Sequence, residues 1–208
     1  NFIQNKALEL SLFLSLPACF ALLVAPNEIT SSLFGYGSFD QNSVKNSADA
    51  LFYFALGLPA FSLIKIFSSF LFARHNTKTP FIFSLISVVL NIIISIYFFN
   101  EIGFIIIPIA TTISSWFNAF MLFIFLINKR YFTFNSNFLS QFMKIIFSSL
   151  LSLYIFYTLI NYFTVNLSYE SNNKLITMVL LVIITFIIYI VLSIFTKAFK
   201  TSDIKLKY

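Results

Sequence analysis

Six long runs almost free of charge constrain this chain more than any other feature. They lie at 10–27, 50–73, 79–100, 102–128, 145–169 and 175–196, and Lys65 is the one charge inside them. A helix needs about 20 mostly apolar residues to cross the hydrocarbon core of a bilayer, which is roughly 30 Å thick. The runs therefore predict an all-α, polytopic membrane protein with six transmembrane helices.

The composition excludes the main soluble alternatives. Of 208 residues, 59% are hydrophobic and 10% are charged, whereas a soluble domain carries about 25% charged residues. Thirty Phe and ten Tyr side chains exceed what one globular core of this size can bury. A soluble enzyme, a nucleic-acid-binding module and a disordered segment are all excluded, and membrane lipid is the expected surrounding.

The basic residues between the runs predict the orientation. With the N-terminus in the cytoplasm, Lys45 and Lys174 lie outside, and ten basic residues lie inside: Lys6, Arg74, Lys78, Lys129, Arg130, Lys144, Lys197, Lys200, Lys205 and Lys207. Basic residues are enriched in cytoplasmic loops. We therefore expect a multi-pass membrane protein with both ends of this chain in the cytoplasm.

The connections between the runs carry their own signals. The segment Pro26–Asn46 is rich in Asn, Ser and Gly and predicts a long outer loop, followed by a helix cap at Asn46–Asp49. Residues 100–103 predict a tight turn, and Pro80 suits the first turn of a helix. The spacing of the phenylalanines in 131–143 predicts a short interfacial helix.

The sequence offers little for catalysis. It has one His, one Cys, four Gly and scattered acids, so it predicts no metal site and no phosphate-binding loop. We expect no catalytic residues, no enzyme activity and no cofactor.

Irregular residues inside the runs are the first candidates for function. Proline removes a backbone donor and kinks a helix, and kinked helices often line the cavities of transporters. The candidate kinks are Pro17, Gly57, Pro59 and Pro108. The alternative is that Gly and Pro are simply more frequent in membrane helices than in soluble ones.

Polar residues inside the runs are the second set of candidates. A lysine at mid-bilayer costs at least ~2.5–3.5 kcal/mol on insertion scales, so Lys65 is a candidate contact for an anionic substrate, with snorkelling to the interface as the alternative. Asn91 and Thr111 could form a small site for a monovalent cation. The alternative for this pair is an interhelical hydrogen bond that holds two helices together.

Two consecutive motifs carry a family resemblance. The stretch Ala55–Phe67 contains GLPAF-x-L-x-K, and Phe72–Pro80 contains AR-x-x-TKTP. Both resemble the MurJ/MviN family of lipid II flippases, within the polysaccharide and multidrug exporter superfamily. The resemblance covers residues 1 to about 130. The sequence departs from the family pattern at Pro108, where members usually have Ala.

The resemblance implies a place for this chain within a fourteen-helix flippase. The six helices would correspond to helices 9–14, with 1–130 supplying the last four helices of the C-terminal lobe. Residues 131–208 would supply two additional helices and a basic cytoplasmic tail. It further implies contact with lipid II and with a missing N-terminal half of the same protein.

The resemblance also suggests roles for three basic residues. Lys65 would be a cavity cation, while Arg74 and Lys78 would hold the inner loop near anionic headgroups. These three residues are the predicted substrate-binding set. The implied activity is movement of lipid II from the inner to the outer leaflet by alternating access. The alternatives are another exporter of lipid-linked oligosaccharides or drugs, and a self-contained six-helix membrane enzyme or subunit.

Overall fold

The computed structural model describes residues 2–198, which form helices joined by short connections. Lys200, Lys205 and Lys207 of the predicted basic tail lie outside the described residues. Eight α-helices are found within the described part: α1 (Phe2–Val24), α2 (Pro26–Phe34), α3 (Gln41–Phe72), α4 (Lys78–Ile102), α5 (Ile106–Asn128), α6 (Phe138–Tyr162), α7 (Thr164–Leu167) and α8 (Lys174–Phe195).

The six long helices confirm the predicted class. Between residues 2 and 198, five stretches are long and apolar enough to cross a membrane, and one of them, Lys78–Asn128, has 51 residues. That stretch is divided at Gly103, which adopts a φ of +74° and begins a single 3₁₀ turn before α5. A positive φ suits glycine because it has no Cβ. The predicted turn at 100–103 is therefore confirmed at its last residue.

The outer connection before α3 differs from its prediction. Residues 26–34 form helix α2, with Pro26 in its first turn, and α3 already begins at Gln41. The predicted loop over 26–46 and the predicted cap at 46–49 were therefore wrong. The cap is Asp40, whose carboxylate accepts a hydrogen bond of 2.8 Å from the Ser43 amide. Hydrogen bonds from Ser43 lower the pKa of Asp40, because they stabilise the ionised form.

The predicted interfacial helix over 131–143 is also corrected. Residues 131–137 are irregular and α6 begins at Phe138. Asn5 of α1 holds this segment: its side chain donates to the Thr133 carbonyl (2.9 Å) and accepts from the Asn135 amide (3.1 Å). These bonds use backbone groups that a helix would need for itself.

Phenylalanine rings pack beside this irregular segment. The Phe132 and Phe134 centroids are 5.0 Å apart, and those of Phe134 and Phe138 are 4.8 Å apart. Phe132 is 1% exposed and stacks on Phe70 of α3 at 5.9 Å. The phenylalanine spacing thus reflects ring packing against the end of α3.

Three non-glycine residues in the described part adopt a left-handed conformation after a helix, Lys197 after α8 being one of them, and the ends of α3 and α5 share one hydrogen-bond pattern. His75 follows α3 with a φ of +57°, and Arg130 follows α5 with a φ of +56°. The next amide closes each turn, from Asn76 to the Leu71 carbonyl and from Tyr131 to the Leu126 carbonyl. Glycine usually occupies this position, and a side chain there costs roughly 1 kcal/mol.

The chain divides into two compact units. Within the described residues, the first comprises 2–15 and 50–138, and the second comprises 16–49 and 139–198. The first unit contains the α4–α5 hairpin and most of α3. The second contains α2, α6, α7 and α8. The division predicted from the sequence lies at residue 130, between four helices of the C-terminal lobe and two additional helices. The division into two compact units does not test that assignment, which stays a prediction.

Candidate functional site

Helix α5 supplies hydrogen-bond donors to α3 just before Pro59. The Thr112 hydroxyl donates to the Tyr53 carbonyl at 2.7 Å, and the Trp116 indole nitrogen donates to the Leu56 carbonyl at 3.0 Å. Pro59 lies inside α3 and has no amide hydrogen to donate to the carbonyl four residues earlier, that of Ala55. The side chains of α5 thus bond to carbonyls on either side of that position.

Gly57 makes this close contact between α3 and α5 fit. A Cβ added at Gly57 would lie 3.0 Å from the Thr112 hydroxyl oxygen and 3.0 Å from the Phe61 ring. The absence of a side chain therefore has a packing role as well as a backbone role.

The other two candidate kinks lie in different settings. Pro17 is inside α1, where it removes an internal helical donor. Pro108 lies in the first turn of α5 and is buried. A helix has no internal partner for the amides of its first turn, so a proline there breaks no hydrogen bond. The departure from the family pattern at this position is therefore compatible with a regular helix.

The structure commits Arg74 to the inner connection of the first unit. Its guanidinium donates to the carbonyls of Phe70 and Tyr131, both at 2.8 Å, and lies 4.8 Å from the centroid of the Tyr131 ring. Arg74 thereby joins the end of α3 to the segment after α5. Its predicted role in holding the inner loop matches this placement, while a direct contact with substrate stays a prediction.

Lys65 and Lys78 are both exposed. Lys65 lies in α3, nine residues before Arg74, which corresponds to about 13 Å of helix. Lys78 is the first residue of α4. The side chains of both lysines are therefore accessible in the described part of the chain, and their roles in binding stay predictions.

The structure brings Asn91 and Thr111 together. The Asn91 amide nitrogen donates to the Thr111 hydroxyl at 3.0 Å and approaches the Ser114 hydroxyl at 3.4 Å. The Thr111 hydroxyl donates to the Ile107 carbonyl at 2.8 Å. These contacts are the interhelical bonds that hold α4 to α5.

A polar groove continues from this pair along the hairpin. Its volume is about 220 Å³, and its polar lining comprises Ser84, Ser87, Asn91, Ser114, Ser115 and Asn118. Asn118 is 6% exposed, and its side-chain oxygen is buried without a hydrogen-bond partner. The opposite face of α4 is apolar and exposed, as at Ile92, Ile93 and Ile96. The α4–α5 hairpin therefore has one apolar face that suits contact with lipid and one polar face that can accept hydrogen bonds.

Lys174 forms a buried site that the sequence analysis missed. It was counted as an outer-loop charge, yet it is 1% exposed. Its ammonium group donates to the carbonyls of Gly35 (2.6 Å) and Tyr169 (2.5 Å). It also lies 4.4 Å from the centroid of the Tyr36 ring and 4.5 Å from that of Tyr169. We call these two carbonyls and two rings the Lys174 cage.

Both tyrosines of the cage are fixed by hydrogen bonds from their hydroxyls to backbone carbonyls. The Tyr36 hydroxyl donates to the Ser32 carbonyl at 3.0 Å, and the Tyr169 hydroxyl donates to the Phe39 carbonyl at 2.8 Å. Gly35 is required, because a Cβ there would lie 2.6 Å from the Ser31 carbonyl oxygen. The cage joins α2 to the start of α8 and gives the ammonium group two carbonyl acceptors and two ring faces, with no carboxylate among them.

A small apolar core lies beside the cage in the second unit. Its fully packed members are Ala25, Phe156, Ile160, Leu167, Met178 and Leu181. Farther along the same helices, the hydroxyls of Ser148 and Thr196 are 3.0 Å apart. The outward faces of α6 and α8 are apolar and exposed, as expected for the last two membrane helices.

Comparisons with known proteins agree on one family. A family model described as lipid II flippase MurJ matches residues 1–178. A probable lipid II flippase MurJ of Rickettsia prowazekii is 36% identical over 121 residues, which is 58% of this chain and 24% of the relative. The corresponding protein of Rhizobium meliloti is 41% identical over 58% of this chain and 23% of its own length.

A solved structure shows the same fold. It is described as lipid II flippase MurJ in an inward closed conformation, and it aligns with a TM-score of 0.75 and 27% identity. The alignment covers 95% of this chain and 39% of that chain. The present chain thus spans about a quarter of the length of the curated relatives it matches.

Proposed function

The chain belongs to the lipid II flippase MurJ family, and from that premise we propose that it works as part of a transporter that carries lipid II from the inner to the outer leaflet. The observation that supports this most is the family match across residues 1–178. The proposal makes the chain a transport component and not an enzyme. Its partners would be membrane lipid, lipid II and the N-terminal half of the same protein.

The charge of the cargo explains why a protein path is needed. A lipid-linked disaccharide-pentapeptide carries anionic and hydroxyl groups that are costly to move through hydrocarbon. A transporter lowers this cost by alternating a polar cavity between the two sides of the membrane. In this chain the hydrogen bonds from Thr112 and Trp116 would hold α5 to the part of α3 just before Pro59 while α3 moves.

We assign the proposed substrate contacts to different tasks. Lys65 is the proposed cavity cation, because it is exposed within a long membrane helix. Arg74 would act by fixing the inner connection, since its guanidinium is bonded to backbone carbonyls. Lys78 would act at the inner membrane surface. The bias of basic residues supports a cytoplasmic location for both ends in a bacterial inner membrane.

A transport assay in a chimeric protein would test the function. The matching segment of the Rickettsia prowazekii relative is replaced with this chain, and lipid II translocation is measured in cells depleted of their own flippase. We expect translocation to be restored. A chimera that reaches the membrane at a normal level but moves no lipid II would contradict the proposal. Movement of another lipid-linked sugar in place of lipid II would favour the wider exporter superfamily.

The same chimera tests Lys65. We expect Lys65→Ala to lower translocation at unchanged protein level, and Lys45→Ala, an exposed lysine at the other end of α3, to leave it unchanged. If the Lys65 variant transports normally, Lys65 is a snorkelling residue.

We also keep a monovalent cation as a proposed ligand of Asn91 and Thr111. Hydroxyl, amide and carbonyl oxygens are suitable ligands, but the Asn91 amide would have to turn, because its nitrogen faces Thr111. The buried Ser95 hydroxyl, one helical turn from Asn91, has no hydrogen-bond partner and could complete the set. Sodium should then raise the unfolding temperature relative to choline, and Asn91→Leu should abolish that difference. Equal stability in both salts would remove the proposal.

A further inference from the structure

An open amphipathic groove lies at the α3–α4 connection around Lys78, and the inference drawn from it extends the role that the transport proposal gives this lysine at the membrane surface. Its volume is about 590 Å³, within the roughly 300–1,000 Å³ typical of ligand pockets. Apolar walls come from Phe72 and Phe81, and polar groups come from Ser68, Thr77, Lys78 and Ser84. We call it the TKTP groove, after the motif at residues 77–80.

From this lining we infer that the TKTP groove binds one anionic glycerophospholipid, with its phosphate at Lys78 and its glycerol and first acyl carbons against Phe72 and Phe81. The groove lies where the charged first turn of α4 meets the apolar part of the helix. A single ligand that fits it therefore needs both an anionic group and an apolar part. A phospholipid has an anionic phosphate next to apolar chains, whereas a soluble anion would leave the two rings uncovered.

The charge of the groove supports a ligand with one negative charge. Lys78 forms no ion pair within residues 2–198, so its positive charge is not neutralised by a neighbouring acid. Arg74, the nearest basic residue in the sequence, donates to the carbonyls of Phe70 and Tyr131. The groove therefore presents Lys78 as its cation, which matches a phosphodiester better than a pyrophosphate.

The side chains of Thr77 and Lys78 are better placed to bind a phosphate than the backbone amides at the start of α4. The Thr79 amide is already occupied by the Asn76 side chain at 3.1 Å, and Pro80 has no amide hydrogen. By contrast, the Thr77 hydroxyl makes no capping hydrogen bond to α4. Thr77 is exposed beside Lys78, where a hydroxyl and an ammonium group can both donate to phosphate oxygens.

The apolar walls are large and uncovered. Phe72 is 51% exposed and Phe81 is 68% exposed, and they lie just before and just after the connection. Phenylalanine rings have no polar group, so they offer apolar surface to the acyl carbons next to the phosphate. On the orientation proposed above, this end faces the inner leaflet. That assignment of leaflet rests on the proposed topology, whereas binding itself does not.

Lipid binding to the purified 208-residue chain tests the inference. The chain is placed in nanodiscs of phosphatidylcholine with a minor share of phosphatidylglycerol, and the lipid retained after transfer to detergent is measured by native mass spectrometry. We expect selective retention of one phosphatidylglycerol. Lys78→Gln should lower that retention about tenfold, the factor that corresponds to the ~1.5 kcal/mol lower bound for a hydrogen bond made by a charged group. Lys78→Arg should keep it.

A matched control separates the groove from general surface charge. Lys129 is exposed at the C-terminal end of α5, so Lys129→Gln removes one lysine elsewhere and should not change retention. Equal losses in both variants, or no loss in Lys78→Gln with the fold intact by circular dichroism, would overturn the inference. Displacement of the lipid by free glycerol 3-phosphate would also overturn it, because the apolar walls would then contribute nothing.

Discussion

Replacement of Lys174 by Met removes the charge from the Lys174 cage while keeping an unbranched apolar stem. Two hydrogen bonds from a charged group contribute about 1.5–3 kcal/mol each, and each cation–ring contact contributes about 0.5–2 kcal/mol. Against this stands the cost of burying an ammonium ion, which is several kcal/mol. Because the Gly35 and Tyr169 carbonyls lose their donor, we expect the free energy of unfolding to fall by about 3 kcal/mol.

Reversible unfolding in mixed micelles, followed by circular dichroism over increasing dodecyl sulfate, measures this change. Hydrogen exchange in the segment 35–39 and 168–173 should also rise, since the cage joins these two pieces of backbone. Lys45→Met is the control, because Lys45 is exposed on the same predicted side of the membrane. A loss below about 0.5 kcal/mol, the range of ordinary surface substitutions, would refute the reasoning that the cage stabilises this unit.

Three smaller predictions test the other contacts. Gly57→Ala should lower the free energy of unfolding by about 1–3 kcal/mol in the same assay, because the new methyl group contacts the Thr112 hydroxyl. An unchanged free energy of unfolding would mean that α5 can shift away from α3 at no cost. Asn5→Ala should cost about 1–3 kcal/mol and raise hydrogen exchange across 133–135, while protection equal to the parent would contradict the role of Asn5. Hydrogen bonds from Ser43 stabilise the ionised Asp40 cap and lower its pKa, so the contribution of the cap is present above the unfolded-state pKa and is lost as pH falls through the folded-state pKa. The protection factor of the Ser43 amide, its exchange rate compared with the intrinsic rate at the same pH, should therefore fall on acidification, and Asp40→Asn should remove that change.

The membrane helices could be predicted from the sequence because lipid imposes a local rule. Each span must be long and nearly free of charge whatever its neighbours are. The long helices accordingly follow the charge-free runs. Their ends were less certain, as α3 shows: nine residues before the apolar run at Ala50 are already helical, because Asp40 caps the helix well outside the span.

The backbone partners of Lys174 and Arg74 could not be predicted, because they lie far away in the sequence. Lys174 bonds to a carbonyl 139 residues away, and Arg74 bonds to one 57 residues away. A charge count treats both as solvated loop residues. By contrast, the pairing of Asn91 with Thr111 could be predicted from the sequence, since a tight turn between two adjacent helices brings their polar faces together. The cation at that pair stays a prediction.

The short turn at Gly103 has a consequence for how the protein is made. Helix α4 buries only Pro80 and Ser87 among its described residues, and it packs mainly against α5. If α4 left the insertion machinery alone, the Asn91 amide would enter lipid before Thr111 was available to accept its hydrogen bond. Insertion of α4 and α5 as one hairpin avoids that intermediate. Lengthening the turn should therefore slow membrane insertion during synthesis, even where the finished fold is unchanged.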